Sequence, residues 1–549
     1  MRRLWARPSL SCLLPLAMLG CGHAGPPPPP RPASPAAEVA RPAPAAATAT
    51  SPAPPRCTGG ACVGWVALLL SGGGDVSDNA VAHERNVSFA GRTLASLGLP
   101  ASRQTLLFAD GDDPDPDLSY EEPDAERHRR LYAMGLWLTP EAYARTAVLR
   151  ARNHSLGPSR PADRETVLET LADDAEAARR AFGPGGGGAE GGARDLFFYV
   201  TDHGVRGREL TNNLIVLWGS QHLRVRDLGA ALDRQPPARR VVTVMAQCFS
   251  GSFAGLVYEG GDPRRPPAAH DRCGFFAAPP DRPAAGCSPK TDESLYDDYT
   301  TRFFSALGGA DRAGRPAPAA DLNDDGRVSY EEAHFAAVRW EQTMDVPVST
   351  SEEMLRRRYE ASLRELAADR RPIAEVMADA RVELRAVAAS LAAALELPRS
   401  TSLRALRRRH DEALARCWPG LCEAESALTG ARLRAHQTLR RNAAEFGLSP
   451  PSQRPDLTLA LLGPERAGAL LNAARPDLER VARYDALVDR LRLASETYEA
   501  RLERLRRVVE LHLLERRARS EAGPFRQAYE RVRACEASGP WERPERGSP

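Results

Sequence analysis

Between residue 65 and about residue 340, short apolar runs alternate with amphipathic stretches, and beyond about 350 such runs vanish. The first, Trp65-Val66-Ala67-Leu68-Leu69-Leu70, ends in Ser71-Gly72-Gly73-Gly74. A continuous apolar run this short, closed by glycines, predicts a strand buried on both faces, the mark of a parallel sheet. Further strands are predicted at 105–109, 196–201, 214–218, 241–246 and 273–278, with helices over 80–97, 163–182 and 225–233. The alternation predicts an α/β sandwich whose largely parallel sheet is flanked by helices.

From residue 350 onward the period becomes helical. Leu487, Leu491, Ala494, Tyr498, Leu502, Leu505, Val509 and Leu513 recur at spacings of three and four, one face of a long, coiled-coil-like helix. Ile373, Val376, Met377, Ala380, Leu384, Val387, Leu391 and Leu395 repeat the pattern. Prolines at 398, 419, 450, 451, 464 and 476 punctuate the region as helix boundaries do. Residues 346–535 therefore read as an all-α helical domain behind a sheet-bearing unit at 59–345, with a disordered tail at 536–549. The net charge is +2. That lacks the basic excess a phosphate footprint needs and excludes a dedicated nucleic-acid binder.

Residues 1–21 place Arg2, Arg3 and Arg7 ahead of a short apolar run at 9–19, the layout of a secretory signal. The run ends Met18-Leu19-Gly20-Cys21, which resembles a bacterial lipobox and implies lipidation of Cys21, with Met18 where Leu is usual. A Pro/Ala-rich tether spans 22–58. The expected location is outside the cytosol, on the bacterial cell envelope, held to the membrane through the N-terminal lipid alone. Cysteine usage agrees with export. Cys57–Cys62, Cys273–Cys287 and Cys417–Cys422 lie close in sequence and read as short disulfide loops. Metal binding is the rival reading, without CxxC spacing behind it. Cys248 and Cys535 are left over.

Two predicted strand ends carry reactive groups. One leads into Asp202-His203-Gly204, the other into Gln247-Cys248-Phe249-Ser250-Gly251-Ser252. Ligands of open α/β sheets bind beyond the carboxyl ends of the strands, so both groups reach one edge. Together they supply a nucleophile, a general acid/base and glycine N–H groups that a substrate can approach. Alone, His-Gly reads as a turn and Cys as a small core residue. Their order and texture favour catalysis.

These segments, with Leu223-Arg224-Val225-Arg226-Asp227-Leu228 and the opening strand, resemble the clan CD cysteine peptidases. The nearest likeness is to the legumain-like family, with caspases, metacaspases and gingipains more distant, over about residues 60–340. The resemblance implies a caspase-like sandwich in which Cys248 attacks the scissile carbonyl and His203 protonates the leaving amine. The backbone N–H groups of Gly204 and Cys248 would hold the oxyanion. A specificity pocket is implied near Asn79 (or Ala80), His83, Ala246, Asp281 and Asp292. Ala246 stands where relatives often carry Glu, Asp or Gln.

A second motif runs Asp321-Leu322-Asn323-Asp324-Asp325-Gly326-Arg327-Val328-Ser329-Tyr330-Glu331-Glu332. It fits an EF-hand loop, with Asp321, Asn323, Asp325, the Arg327 carbonyl, Ser329 and Glu332 as ligands and Gly326 at the tight turn. A structural Ca²⁺ is expected, and no organic cofactor. The function expected is an anchored cysteine endopeptidase acting on peptide or protein substrates through a thioester acyl-enzyme. The alternatives are a catalytically inactive caspase-like scaffold, or a transpeptidase or transamidase in which an amine outcompetes water. Legumain-like enzymes are made with a helical C-terminal segment over the active site. The region 350–530 is accordingly expected to restrain the peptidase unit, or else to bind a partner.

Overall fold

The computed structural model describes residues 65–140, 149–182 and 195–540. The predicted signal, Cys21, the predicted tether and the predicted Cys57–Cys62 pair lie outside the described residues, as does 541–549.

The sheet-bearing part opens with β1 (Trp65–Ser71), α1 (Val81–Ser96) and β2 (Gln104–Phe108). A small ribbon follows, β3 (Leu118–Glu121) and β4 (Leu149–Arg152) on either side of α2 (Ala125–Leu138). Next come α3 (Arg164–Phe182) and β5 (Asp195–Val200), then β6 (Gly204–Val205), β7 (Leu214–Leu217) and β8 (Gln221–Arg224). The unit ends with α4 (Val225–Leu232), β9 (Val241–Met245), β10 (Arg272–Phe276), α5 (Tyr299–Gly308), α6 (Tyr330–Trp340) and β11 (Val348–Ser349). The main sheet has six strands in the order β11-β10-β9-β5-β1-β2. All its pairs are parallel except β10 with β11.

Alternate residues of each strand enter opposite layers. Leu69, Tyr199, Val244 and Phe275 pack with α1, α5 and α6 on one face. Leu70, Phe198, Met245 and Phe276 pack with α3 and α4 on the other. Each such side chain contributes roughly 1.5–3 kcal/mol on burial. With both faces covered the runs stay apolar throughout. The strand predicted at 214–218 forms, but in the antiparallel ribbon β6-β7-β8 rather than the main sheet. Gly219 and Ser220, at φ +72° and +57°, turn the chain straight back. A parallel neighbour needs a crossover that this turn does not allow.

Past β11 the described chain is helical: α7 (Thr350–Arg358), α8 (Glu360–Leu366), α9 (Ile373–Val376), α10 (Val382–Ala394) and α11 (Leu403–Ala415). The longer helices α12 (Leu421–Glu445), α13 (Pro455–Ala473) and α14 (Arg475–Arg519) follow, then α15 (Pro524–Glu536). The stripe from Ile373 to Leu395 is buried as predicted, yet the chain breaks between α9 and α10. Extended Arg381 caps α10 there, and its guanidinium reaches Glu331 at 2.9 Å and Glu515 at 3.1 Å.

The helices do not stand apart from the sheet. β11 falls beyond the predicted boundary at 345, and α15 returns to pack Ala528, Val532 and Cys535 into the sheet's core. Cys535 is disulfide-bonded to Cys273, so the predicted Cys273–Cys287 pair is not formed. Cys273 sits near the start of β10, while Cys287 lies in the loop at its carboxyl end, next to His203. At about 3.3 Å per residue, the stretch from Cys273 to the end of β10 alone spans roughly 10 Å. The Cys417–Cys422 pair is present. The predicted tail begins inside the fold: Glu536 is buried and accepts the N–H of Ser351 at 2.7 Å.

Candidate active site

From β1 the chain departs to β2 on one side, and from β5 it continues to β9 and β10 on the other. That reversal makes the carboxyl ends of β1 and β5 the topological switch point, the edge at which α/β sheets bind ligands. His203 follows β5 and Cys248 follows its neighbour β9, with Val200 paired to Met245 at the ends. A Cβ on Gly204 would lie 1.9 Å from the Cys248 carbonyl oxygen, so only glycine lets the two backbones meet. Phe249, next to the cysteine, holds a left-handed φ of +59°. Such backbone strain in a non-glycine residue clusters at functional sites.

Asp202 fixes the approach to the histidine. Its carboxylate accepts the N–H of His203 at 2.6 Å and of Gly73 at 3.2 Å. Burial pushes this carboxyl up to about 7, against the pull of His203 and the two N–H groups. His203 Nε2 meets the Asp78 carbonyl oxygen at 2.7 Å, and its Nδ1 meets Cys287 Sγ at 3.6 Å. His83 stands edge-on to it, ring centres 5.1 Å apart. Burial, and then the neighbouring His203, hold the His83 imidazole well below its ordinary range, so it is neutral.

Cys248 is 7% exposed. The Ala284 N–H donates to its sulfur at 3.3 Å, and the thiol reaches the Ala284 carbonyl at 3.6 Å. One strap between β10 and α5 therefore touches both groups, Ala284 on Cys248 and Cys287 on His203. Helices pin it down. Arg282 is bidentate to Glu499 of α14 at 2.7 and 2.5 Å, and Glu499 also meets His410 of α11 at 2.5 Å. Burial pulls Glu499 up, but its bonds to His410 and Arg282 prevail and leave it below the usual carboxylate range. Ala285 N–H donates to Asp345 at 2.6 Å.

Of the other pocket candidates, Asn79 is buried beside His83, and Ala246 extends β9 by donating its N–H to the Val200 carbonyl at 2.8 Å. Asp281 and Asp292 are exposed loop carboxylates, the latter capping the turn at Glu293–Leu295. Sequence reasoning missed Asp202 and Cys287. The first was readable as the residue leading into the histidine. Cys287 was masked by its closeness in sequence to Cys273.

The loop 321–332 closes on itself. Gly326, at φ +82°, donates to Asp321 Oδ2 at 2.8 Å, and Asp325 N–H reaches Asn323 Oδ1 at 2.9 Å. Glu332 folds back to accept Leu322 N–H at 2.9 Å and forms a reciprocal cap with Ser329 that starts α6. The donors are all oxygen, and the turn sits where a calcium loop needs it, so these residues fit the ion. The tighter cluster is elsewhere. Among the described residues, His83, His203 and Cys287 are the acidic, thiol or imidazole groups whose ligand atoms all lie within 4.8 Å of one another.

No family model matches the chain, and no curated protein matches it. Among solved structures, protein GSU0716 from Geobacter sulfurreducens is similar at 12% identity, covering 52% of this chain and 92% of its own, with a TM-score of 0.29. A likeness at that score carries no argument about fold or function.

Proposed function

We propose that the chain is an extracytoplasmic, envelope-anchored cysteine endopeptidase of caspase-like fold, held here in a latent arrangement. One observation carries the reading: His203 and Cys248 end adjacent parallel strands, and Gly204 brings their backbones together. Cys248 Sγ attacks the scissile carbonyl, and the Gly204 and Cys248 N–H groups take up the oxyanion. His203 gives its proton to the leaving amine, then takes one from the water that hydrolyses the thioester and restores the thiol. Asp78 and Asp202 orient the imidazole and its backbone.

A substrate reaches Cys248 only once Ala284 lifts. The Arg282–Glu499 clamp supports the helical region as the restraint. In the same reading Asp321, Asn323, Asp325, the Arg327 carbonyl, Ser329 and Glu332 hold a structural Ca²⁺ that braces the start of α6. A second reading, a non-catalytic binding scaffold, is favoured by the coverage of Cys248.

A peptidyl acyloxymethyl ketone separates the two. Offered to the full chain and to Arg282→Ala, it is expected to modify Cys248, at least about 10-fold faster in the variant. In His203→Ala the reaction is expected to fall by on the order of 10³-fold. Glu499→Gln releases the same clamp from the helical side while keeping a side chain of the same size, and serves as the second release variant. Absence of the Cys248 adduct from the full chain and from both release variants, by peptide mass mapping, leaves the scaffold reading.

A further inference from the structure

Around the proposed catalytic histidine, the carboxyl edge of the sheet gathers two further donors that peptide cleavage does not use, His83 and Cys287. His83 comes from α1, His203 from the end of β5 and Cys287 from the strap, with ligand atoms within 4.8 Å of one another. The hydrogen bonds fix which ring nitrogens face inward. Asn79 donates its Nδ2 to the Asp117 carbonyl at 2.7 Å, which turns its Oδ1 toward His83 Nδ1 at 3.1 Å. An amide oxygen only accepts, so His83 carries its proton on Nδ1 and keeps a lone pair on Nε2. That Nε2 is buried without a hydrogen-bond partner, on a residue 1% exposed. The Asp78 carbonyl likewise takes the proton of His203 Nε2, and the ring turns Nδ1 to Cys287 Sγ.

We propose that His83 Nε2, His203 Nδ1 and Cys287 Sγ bind a soft divalent cation, Zn²⁺ by their donor chemistry. Two imidazoles and a thiolate suit zinc, and three protein ligands leave a fourth position for water. The 3.6 Å between Nδ1 and Sγ matches the span across such an ion. Zinc with Zn–N of about 2.0–2.1 Å and Zn–S of about 2.3 Å sets tetrahedral N and S ligands about 3.5 Å apart. Zinc-binding histidines characteristically donate their outer N–H to a carbonyl or carboxylate, which holds the ring and the tautomer. Asn79 and the Asp78 carbonyl make those two bonds here. Binding releases the Cys287 thiol proton to solvent.

The site has a consequence for cleavage, and that consequence rests on the peptidase reading. A cation on His203 Nδ1 ties the histidine to the strap and withholds that nitrogen from proton transfer. Zinc would then hold the latent arrangement closed.

The test is a titration of the metal-stripped full chain with Co²⁺, followed by displacement with Zn²⁺. One equivalent is expected to produce thiolate-to-cobalt charge-transfer absorption in the near ultraviolet. Cys287→Ser is expected to abolish it, and Cys248→Ser to keep it. Asn79→Ala is expected to weaken binding 10–100-fold, as loss of an outer-shell partner does. The wild-type spectrum needs no variant to fold, and near-ultraviolet circular dichroism checks those that are made. No charge-transfer band in the full chain, a band that persists in Cys287→Ser, or one lost in Cys248→Ser overturns the proposal. A cobalt band together with a Cys248 that stays unreactive in the metal-stripped chain and in both release variants sinks the peptidase alone; a reactive Cys248 without the band sinks the metal site alone.

Discussion

The oxygen donors of 321–332 come from one stretch of chain and are held by bonds that stretch makes with itself, Gly326 to Asp321 and Leu322 to Glu332. The donors of the cleft come from α1, the end of β5 and the strap, and only the sheet brings them together. The disulfides divide the same way. Cys417 and Cys422 are separated by 5 residues, Cys273 and Cys535 by 262. A local cluster costs little chain entropy to close and leaves its signature in consecutive residues. An assembled cluster depends on long-range closure, and anything that loosens the fold loosens the site.

The disulfides give the largest expected effect. In the chain-entropy picture, closing the long loop constrains the unfolded chain by about 5 kcal/mol and the short one by about 2 kcal/mol. Cys535→Ser should therefore lower the unfolding free energy in urea by up to about 5 kcal/mol, well beyond the loss in Cys417→Ser. Equal losses would break the contrast between local and assembled parts.

Calcium sharpens it. At 100 times its Kd, a ligand that binds only the folded chain adds about 2.7 kcal/mol, read as a rise in Tm. Asp321→Ala should abolish that rise while the cobalt spectrum of the cleft survives. Loss of both together would mean that the loop is not an independent element.

What the sequence made legible follows the same division. The strands of the main sheet were readable because buried parallel strands are unbroken apolar runs, and 241–246 became β9 within a residue. The tight turn at Gly326 was readable because the oxygen side chains that close it lie in one short stretch. Of the stripe along α14 the second half is buried, Leu502, Leu505, Val509 and Leu513, whereas Ala494 is exposed; the charges of that buried half are matched by distant partners. Arg507 meets Glu352 there at 2.7 Å, and Arg356 meets Glu510 at 2.8 Å. The strap was not readable, because nothing in Pro283-Ala284-Ala285-Gly286-Cys287 says which end of the sheet it crosses. Nor was the partner of Cys273, which arrives on the last helix of the described chain.

The smallest effect is electrostatic and belongs to the assembled part. Asp345, which holds the strap through Ala285, and Glu536, which holds α7 through Ser351, are both pushed up to about 7, in each case chiefly by burial. A carboxyl whose folded pKa exceeds its unfolded one binds more protons in the folded chain, so stability falls as pH rises. The contribution is complete below about pH 4 and is lost as pH climbs through about 7. Unfolding free energy in urea should drop by about 2.5 kcal/mol per group between pH 5 and pH 8. Asp345→Asn and Glu536→Gln should each flatten part of that slope, since an amide does not titrate. Asp345→Asn should also leave Cys248 covered at pH 8, where the wild type, with a charge buried under its strap, reacts faster with the ketone than at pH 5 by more than thiol ionisation alone explains. A slope unchanged in both variants would mean that these joints stay equally strong whichever way they are charged.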